Sequence, residues 1–180
     1  MDITPIDKLL ADARETYGVF GRSKQALALV DRALALDAQS VEALNLKAAI
    51  LFDIDRDDEA EEFHRKALEI EPCSVEALYG LASLANDRYD YVQGLESAER
   101  GFACIPLDPH QEFRENEDFR QRLIAQLFNE KAFALWYMGK KDEATALLTE
   151  EGPRTCPMEV ETFEEELEWL EHHPESPEEE

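Results

Sequence analysis

Ser40-Val-Glu-Ala-Leu44 returns letter for letter as Ser74-Val-Glu-Ala-Leu78, a step of 34 residues. Other positions keep that step: Ala26, Ala60 and Gly94; Ala33, Ala67 and Gly101; Leu34, Leu68 and Phe102; Ala38, Pro72 and Pro106. Self-similarity at such a period marks stacked units of supersecondary structure, none of which buries its apolar face alone. Ser40 stands as an N-cap with Glu42 in the first turn, where a carboxylate favours the helix dipole.

Outward from this pair, the pattern predicts two helices per repeat. Upstream, Thr4 is placed to cap a helix with Pro5 at an early position, and Leu10, Ala13 and Tyr17 share one face. Gly21-Arg-Ser23 breaks it, with Ser23 as the expected cap of a helix over 24–36 carrying Ala26, Leu29, Val30, Ala33 and Leu34 inward. In the second repeat Leu44, Ala48 and Leu51 face in, and Asp57 is expected to cap a helix running to Ile70. In the third, Leu78, Leu81, Ala82 and Ala85 repeat the pattern, and a turn near Tyr89-Asp90 leads to a helix over about 91–104. Small residues at Ala26, Ala33, Ala60, Ala67, Gly94 and Gly101 leave room for the paired helices to approach closely.

The register then slips by 16 residues, because the next small residue is Ala144 where a step from Gly94 lands on 128. Residues 107–121 supply the difference and read as an exposed connection into a long helix over about 119–138. Its partner is expected to end near Glu150, at the Gly152-Pro153 stop. Val160, Phe163, Leu167 and Leu170 give an apolar stripe within 157–171, the mark of a helix that caps a solenoid. Residues 172–180 read as a disordered acidic tail.

The period, the small–small pairs and the prolines after the second helices of two repeats resemble the tetratricopeptide repeat family. The resemblance covers about 7–108 and 125–152. It implies an all-α, right-handed α-solenoid of antiparallel helix pairs. The expected repeats are about 7–40, 41–74, 75–108 and 125–155, in a single domain over 1–171. It also implies a concave groove lined by the first helix of each repeat, where members of the family hold peptides or partner helices. Leu10, Leu44 and Leu78 stand where the family often has an aromatic residue.

The stripe of each first helix that would line such a groove reads Asn45, Ala49 and Phe52, then Tyr79, Ser83 and Asn86, then Asn129, Phe133 and Trp136 with Tyr137 beside it. The groove residues expected from this are Asn45, Phe52, Tyr79, Ser83, Asn86, Asn129, Phe133, Trp136 and Tyr137. Glu15, Glu42, Asp53, Glu76, Asp87 and Glu130 form an acidic edge. Amides at such positions can bond an extended backbone, and aromatics can anchor side chains. One subfamily clamps acidic tails with basic side chains. Here Ala11, Glu15, Asn45, Glu76 and Gly80 stand at the corresponding places, so an acidic ligand meets repulsion.

Charge points the same way. There are 18 basic against 42 acidic residues, a net −24. Eleven of the glutamates fall in 158–180, which leaves 31 acids against 18 bases in the rest. Such a field opposes nucleic acid and anionic lipid and favours a basic protein partner.

No glycine-rich phosphate loop, GxSxG or HExxH occurs. His64, among Glu61, Glu62 and Arg65, reads as a solvated face. Neither catalysis nor a cofactor is expected, and no metal site either, His172-His173 offering too few ligands. Cys73, Cys104 and Cys156 show no CxxC spacing and read as reduced thiols of a cytoplasmic protein. No apolar run approaches the roughly 18 residues of a membrane helix.

The expected function is a non-enzymatic adaptor or chaperone holding a basic, partly apolar peptide or helix in the acidic and aromatic groove. Small acidic chaperones of bacterial type III secretion are similar in size and repeat use. The alternative is a structural subunit of an assembly whose groove another subunit fills.

Overall fold

A computed structural model describes residues 4–19, 21–157 and 159–173. The expected acidic tail lies almost wholly outside them. The described residues form helices joined by turns, in consecutive antiparallel pairs, and none of them lies in a strand. The chain divides into two compact units, one ending at Pro72 and the other beginning at Cys73.

The first unit holds two pairs, α1 (Pro5–Tyr17) with α2 (Ser23–Leu36) and α3 (Val41–Phe52) with α4 (Asp57–Ile70). Thr4 closes a capping box at α1, its Oγ1 accepting from Asp7 N at 3.2 Å while Asp7 Oδ2 accepts from Thr4 N at 2.9 Å. Ser40 Oγ accepts from Ala43 N at 3.3 Å and starts α3. Ser23 and Asp57 do not cap: each is the first helical residue, and Arg22 and Arg56 precede them without a side-chain bond. Leu10, Ala13, Ala26, Val30, Ala33, Ala43, Leu46 and Ile50 form the core of this unit. Helix α3 is buried on nearly every side, including Leu44, Ala48 and Leu51, as expected of an element packed between neighbours.

The second unit starts with α5 (Val75–Asp87) and α6 (Tyr91–Cys104), followed by α7 (Gln111–Glu115) and the long α8 (Glu117–Tyr137). The repeat's glycines have a steric reason here. A Cβ on Gly94 would lie 2.0 Å from Asn86 Oδ1, and one on Gly101 would lie 2.8 Å from Leu127 of α8. Alanine stands at the equivalent places of the first unit. Segment 107–121, read as an exposed connection, is exposed at 107, 109 and 114–118 but not throughout. Phe113 is buried, and the buried Asp108 accepts from Val75 N at 2.7 Å and His110 N at 2.8 Å, sealing the start of α5.

Cys73 and Cys104 form a disulfide with Cα atoms 5.0 Å apart, which corrects the expectation of reduced thiols for this pair. The cysteines flank an antiparallel pair, so the start of α5 meets the end of α6. Cys156 is free and buried, and burial pushes its thiol up to about 11.

Helix α9 (Lys141–Ala146) continues as a π-helical turn (Leu147–Glu151) into the short α10 (Gly152–Thr155). Gly152-Pro153 therefore does not end the helical run as expected, since α10 begins at Gly152. Its missing side chain admits the Phe163 ring, which a Cβ would meet at 2.8 Å. Helix α11 (Val160–His172) buries Phe163 and Leu170 against this end of the unit, as the apolar stripe predicts for a cap. Phe163 meets Phe128 edge-on at 6.0 Å, and Phe128 meets Phe102 at 4.6 Å.

The turn inside each pair uses one residue with positive φ: Gly21 at 79°, Asp55 at 58°, Tyr89 at 62° and Gly139 at 81°. The first three are 34 apart, and Gly139 follows after that step plus the 16-residue insertion. The backbone thus carries the same register as the side chains.

Candidate functional site

On the second unit, α5, α8 and α11 line an open pocket of about 260 Å³. Helix α5 contributes Ser83, Asn86 and Asp87, α8 contributes Asn129, Glu130 and Phe133, and α11 contributes Glu166 and Trp169. Ser83 lies three and four residues from Asn86 and Asp87, Phe133 four and three from Asn129 and Glu130, and Trp169 three from Glu166, which places each set on one side of its helix.

Asn86 ties two of these helices together. Its Nδ2 donates to Glu130 O at 3.0 Å and to Glu130 Oε2 at 2.8 Å. Glu130 is half-buried, with its carboxyl turned toward Asn86. Burial lifts it to about 7, against the hydrogen bonds from Asn86 and Ser83, and Asp87 adds to the rise. Glu166 is likewise lifted to about 7, by burial first and then by Glu130. Near neutral pH these two carboxyls are therefore partly protonated, and a cation placed beside them favours their ionised forms.

Aromatic rings run along one side. Phe133 stacks on Trp169 at 5.7 Å and meets Tyr137 edge-on at 4.8 Å. Tyr137 stacks on Tyr91 at 5.4 Å, and its hydroxyl donates to His173 O at 2.9 Å. Trp169 in turn stacks on His173 at 4.3 Å. Burial, followed by Tyr91 and Glu166, pushes the Tyr137 hydroxyl above its ordinary value.

Of the groove residues expected from sequence, Ser83, Asn86, Asn129 and Phe133 come together in this pocket, with Asp87 and Glu130 of the acidic edge. Tyr137 stands beside it in the aromatic run, and Tyr79 is half-buried on α5. Trp136 does not face a groove: it is only 6% exposed, with Lys141 Nζ 4.9 Å from its ring centre.

The remaining expected residues belong to the first unit. Asn45 is 1% exposed and contacts His64 Nδ1 through its Oδ1 at 3.3 Å, so it is a core amide and not a groove contact. His64 is accordingly not solvated but 4% exposed, and burial holds it down at about 4. Phe52 is half-buried and Glu15 exposed. Glu42 is paired with Arg14, and Asp53 accepts from Tyr17 Oη at 2.5 Å. Glu76 is half-buried at the start of α5.

Sequence reasoning missed Glu166 and Trp169, which lie one position off the apolar stripe of α11. Their spacing of three was the available signal. His172 and His173 spend their Nδ1–H on Glu168 O and Trp169 O at 2.7 and 2.8 Å. Among the described residues no three His, Cys, Asp or Glu are grouped to hold a metal ion, and no helix is long and apolar enough to cross a membrane.

No protein-family model matches the chain, and no curated protein matches it. Solved structures do. A crystal structure of MamA protein is similar with a TM-score of 0.62 at 17% identity, over 87% of this chain and 76% of that one. A second MamA crystal structure is similar with a TM-score of 0.62 at 18% identity, over 89% and 83% of the two chains. At this identity the likeness is one of fold: the chain has the helical-repeat architecture of the MamA structures.

Proposed function

We propose that this protein is a non-enzymatic interaction scaffold, an adaptor or chaperone, whose second unit holds a basic, partly apolar peptide or helix of another protein. The observation that carries the reading is the pocket between α5, α8 and α11, which sets three carboxyl groups beside Phe133 and Trp169 with no lysine or arginine among its lining residues. Such a site repels anions and rewards a ligand with a cation at one point and apolar surface at another. The net charge of −24 steers basic ligands toward it. The fold shared with MamA is of a kind suited to presenting side chains on stacked helices.

A disulfide such as Cys73–Cys104 persists where the environment is oxidising. A cytoplasmic location accordingly goes with the reduced form of that pair.

Fluorescence anisotropy of labelled amphipathic peptides, one basic and one acidic, tests the reading on the full chain. The basic peptide is expected to bind, with an association rate that falls steeply with salt and a dissociation rate that changes less. Equal affinity for both peptides, or none for either, contradicts it. Light scattering over a concentration series separates it from the alternative of a self-assembling subunit.

A further inference from the structure

The pocket on the second unit is lined by three carboxyl groups, and two of its donors are committed to one of them. Asn86 Nδ2 is given to Glu130. Ser83 also bonds to the Glu130 side chain. By contrast, Asn129 Oδ1 is buried and has no hydrogen-bond partner among the described residues. A buried amide oxygen left unmet is costly, so this atom marks a place where a donor belongs.

Asn129 and Glu130 of α8 and Glu166 of α11 thus bring one neutral and two acidic acceptors to a single space of about 260 Å³. Phe133 and Trp169 form its apolar wall.

Three kinds of ligand fit poorly. An anion meets three carboxyl groups and no lysine or arginine among the lining residues. A divalent metal finds no group of three suitable ligands among the described residues. A guanidinium group favours a planar, bidentate carboxylate, and Glu130 has one oxygen already occupied by Asn86. A primary ammonium group fits: it carries three N–H donors on one compact atom, at the end of an apolar stem.

We propose that this pocket is a binding site for a primary alkylammonium group, the end of a lysine side chain. Its N–H groups donate to Glu130, Glu166 and Asn129 Oδ1, and its methylene stem lies against Phe133 and Trp169. Assigning the ammonium to a lysine rests on the peptide-binding reading above; the ammonium site itself does not.

The site carries a proton linkage. The groups facing Glu130 are Asp87 from α5 and Glu166 from α11. From α6, Glu99 faces α8 too, but it pairs with Lys131 at 3.4 Å. Tyr137 is the titratable neighbour of Glu166 on the aromatic side. A cation between Glu130 and Glu166 favours their ionised forms, so binding releases protons near neutrality. Lysine stays charged to well above pH 8. Affinity therefore rises from pH 6 to pH 8.

The test uses the full chain, isotope-labelled, and NMR titration with three probes: N-acetyl-lysine N-methylamide, its norleucine analogue and cadaverine. The lysine probe is expected to move the Asn129 side-chain amide and Trp169 indole signals saturably, with several-fold tighter binding at pH 8 than at pH 6. Cadaverine is expected to do the same, and a lysine-containing peptide to bind more tightly than either. The norleucine analogue is expected to leave these signals unmoved. Glu130→Gln and Glu166→Gln, made singly and together, are expected to weaken the lysine probe and flatten its pH dependence while circular dichroism is unchanged.

Equal shifts from the norleucine analogue, or no saturable shift from either amine, overturn the ammonium site. If basic peptides still bind in that case, the peptide-binding reading stands without it. If amines bind here and no basic peptide does, the site stands and that reading falls.

Discussion

Trp169 of the C-terminal helix lies stacked on Phe133 of α8, ring centroids 5.7 Å apart and planes 24° from parallel. The helix that caps the apolar end of the unit is therefore also a wall of its candidate site. Phe163 and Leu170 anchor α11 with no exposed surface, while Trp169 remains 42% exposed. Capping and contact are divided between two faces of one helix.

That division predicts separable effects. Trp169→Ala is expected to weaken binding of a basic amphipathic peptide by more than about 1 kcal/mol, as loss of an aromatic anchor does. Its melting temperature is expected to change little. Phe163→Ala removes a fully buried ring and is expected to cost roughly 3–5 kcal/mol of stability. Thermal melts and anisotropy titrations of the two variants check the pair.

Acid and base act on the two units in opposite directions. His64 in the first unit is held neutral down to about 4, below its ordinary 6.5. Its neutral burial contributes stability that is complete above pH 6.5 and is lost as pH falls toward 4, roughly 3 kcal/mol in all. In the second unit, Glu130 and Glu166 stay protonated to about 7, above their ordinary 4.5. There the stability is complete below pH 4.5 and is lost as pH rises through 7. Hydrogen exchange on the full chain at pH 5 and pH 8 is expected to show the amides of α8 and α11 opening more readily at pH 8 once intrinsic rates are removed. Glu130→Gln, whose Oε1 still accepts from Asn86, is expected to abolish most of that difference.

Gly94 and Gly101 are expected to reject even a methyl group. Gly101→Ala drives a Cβ into Leu127 and is expected to cost about 1–3 kcal/mol by overpacking. Gly94→Ala meets Asn86 Oδ1, so it is expected to displace the amide that holds Glu130. Chemical denaturation measures the first. A shift in the carboxyl titration of Glu130, followed by NMR, reports the second. Ala26→Gly, at the matching step of the first unit, relieves no clash and is expected only to destabilise.

The Cys73–Cys104 disulfide closes a loop between cysteines 31 residues apart. Constraining the unfolded chain over that length stabilises by roughly 3–4 kcal/mol. Unfolding with and without reductant, and in Cys73→Ser with Cys104→Ser, is expected to show a loss of about that size, unchanged by reductant in the double variant.

Much of the fold was legible because close helix packing leaves a local trace. Alanine or glycine at 26, 33, 60, 67, 94 and 101, and serine caps at 40 and 74, are dictated by neighbours a fixed number of residues away. The pocket was legible in part: Ser83, Asn86, Asn129 and Phe133 lie on the stripes that the period assigns to first helices. Glu166 and Trp169 were not, since no repeat fixes where α11 docks.

Asn45 and His64 misled because each is polar, yet the two meet in the core across two helices, a pairing that spacing does not reveal. Asp108 and Phe113 escaped for a related reason. Amid the charges of 107–121 they look exposed, yet one caps α5 through Val75 N and the other enters the core.

The most direct test of a second unit that grips basic polypeptide is an amide and side-chain NMR map of the full chain titrated with a lysine-containing amphipathic peptide, at low and at high salt. The account predicts saturable perturbations centred on Ser83, Asn129, Phe133, Glu166 and Trp169, weakened by salt and absent with an acidic peptide of the same apolar content. Perturbations centred away from α5, α8 and α11, or identical with the acidic peptide, would contradict it.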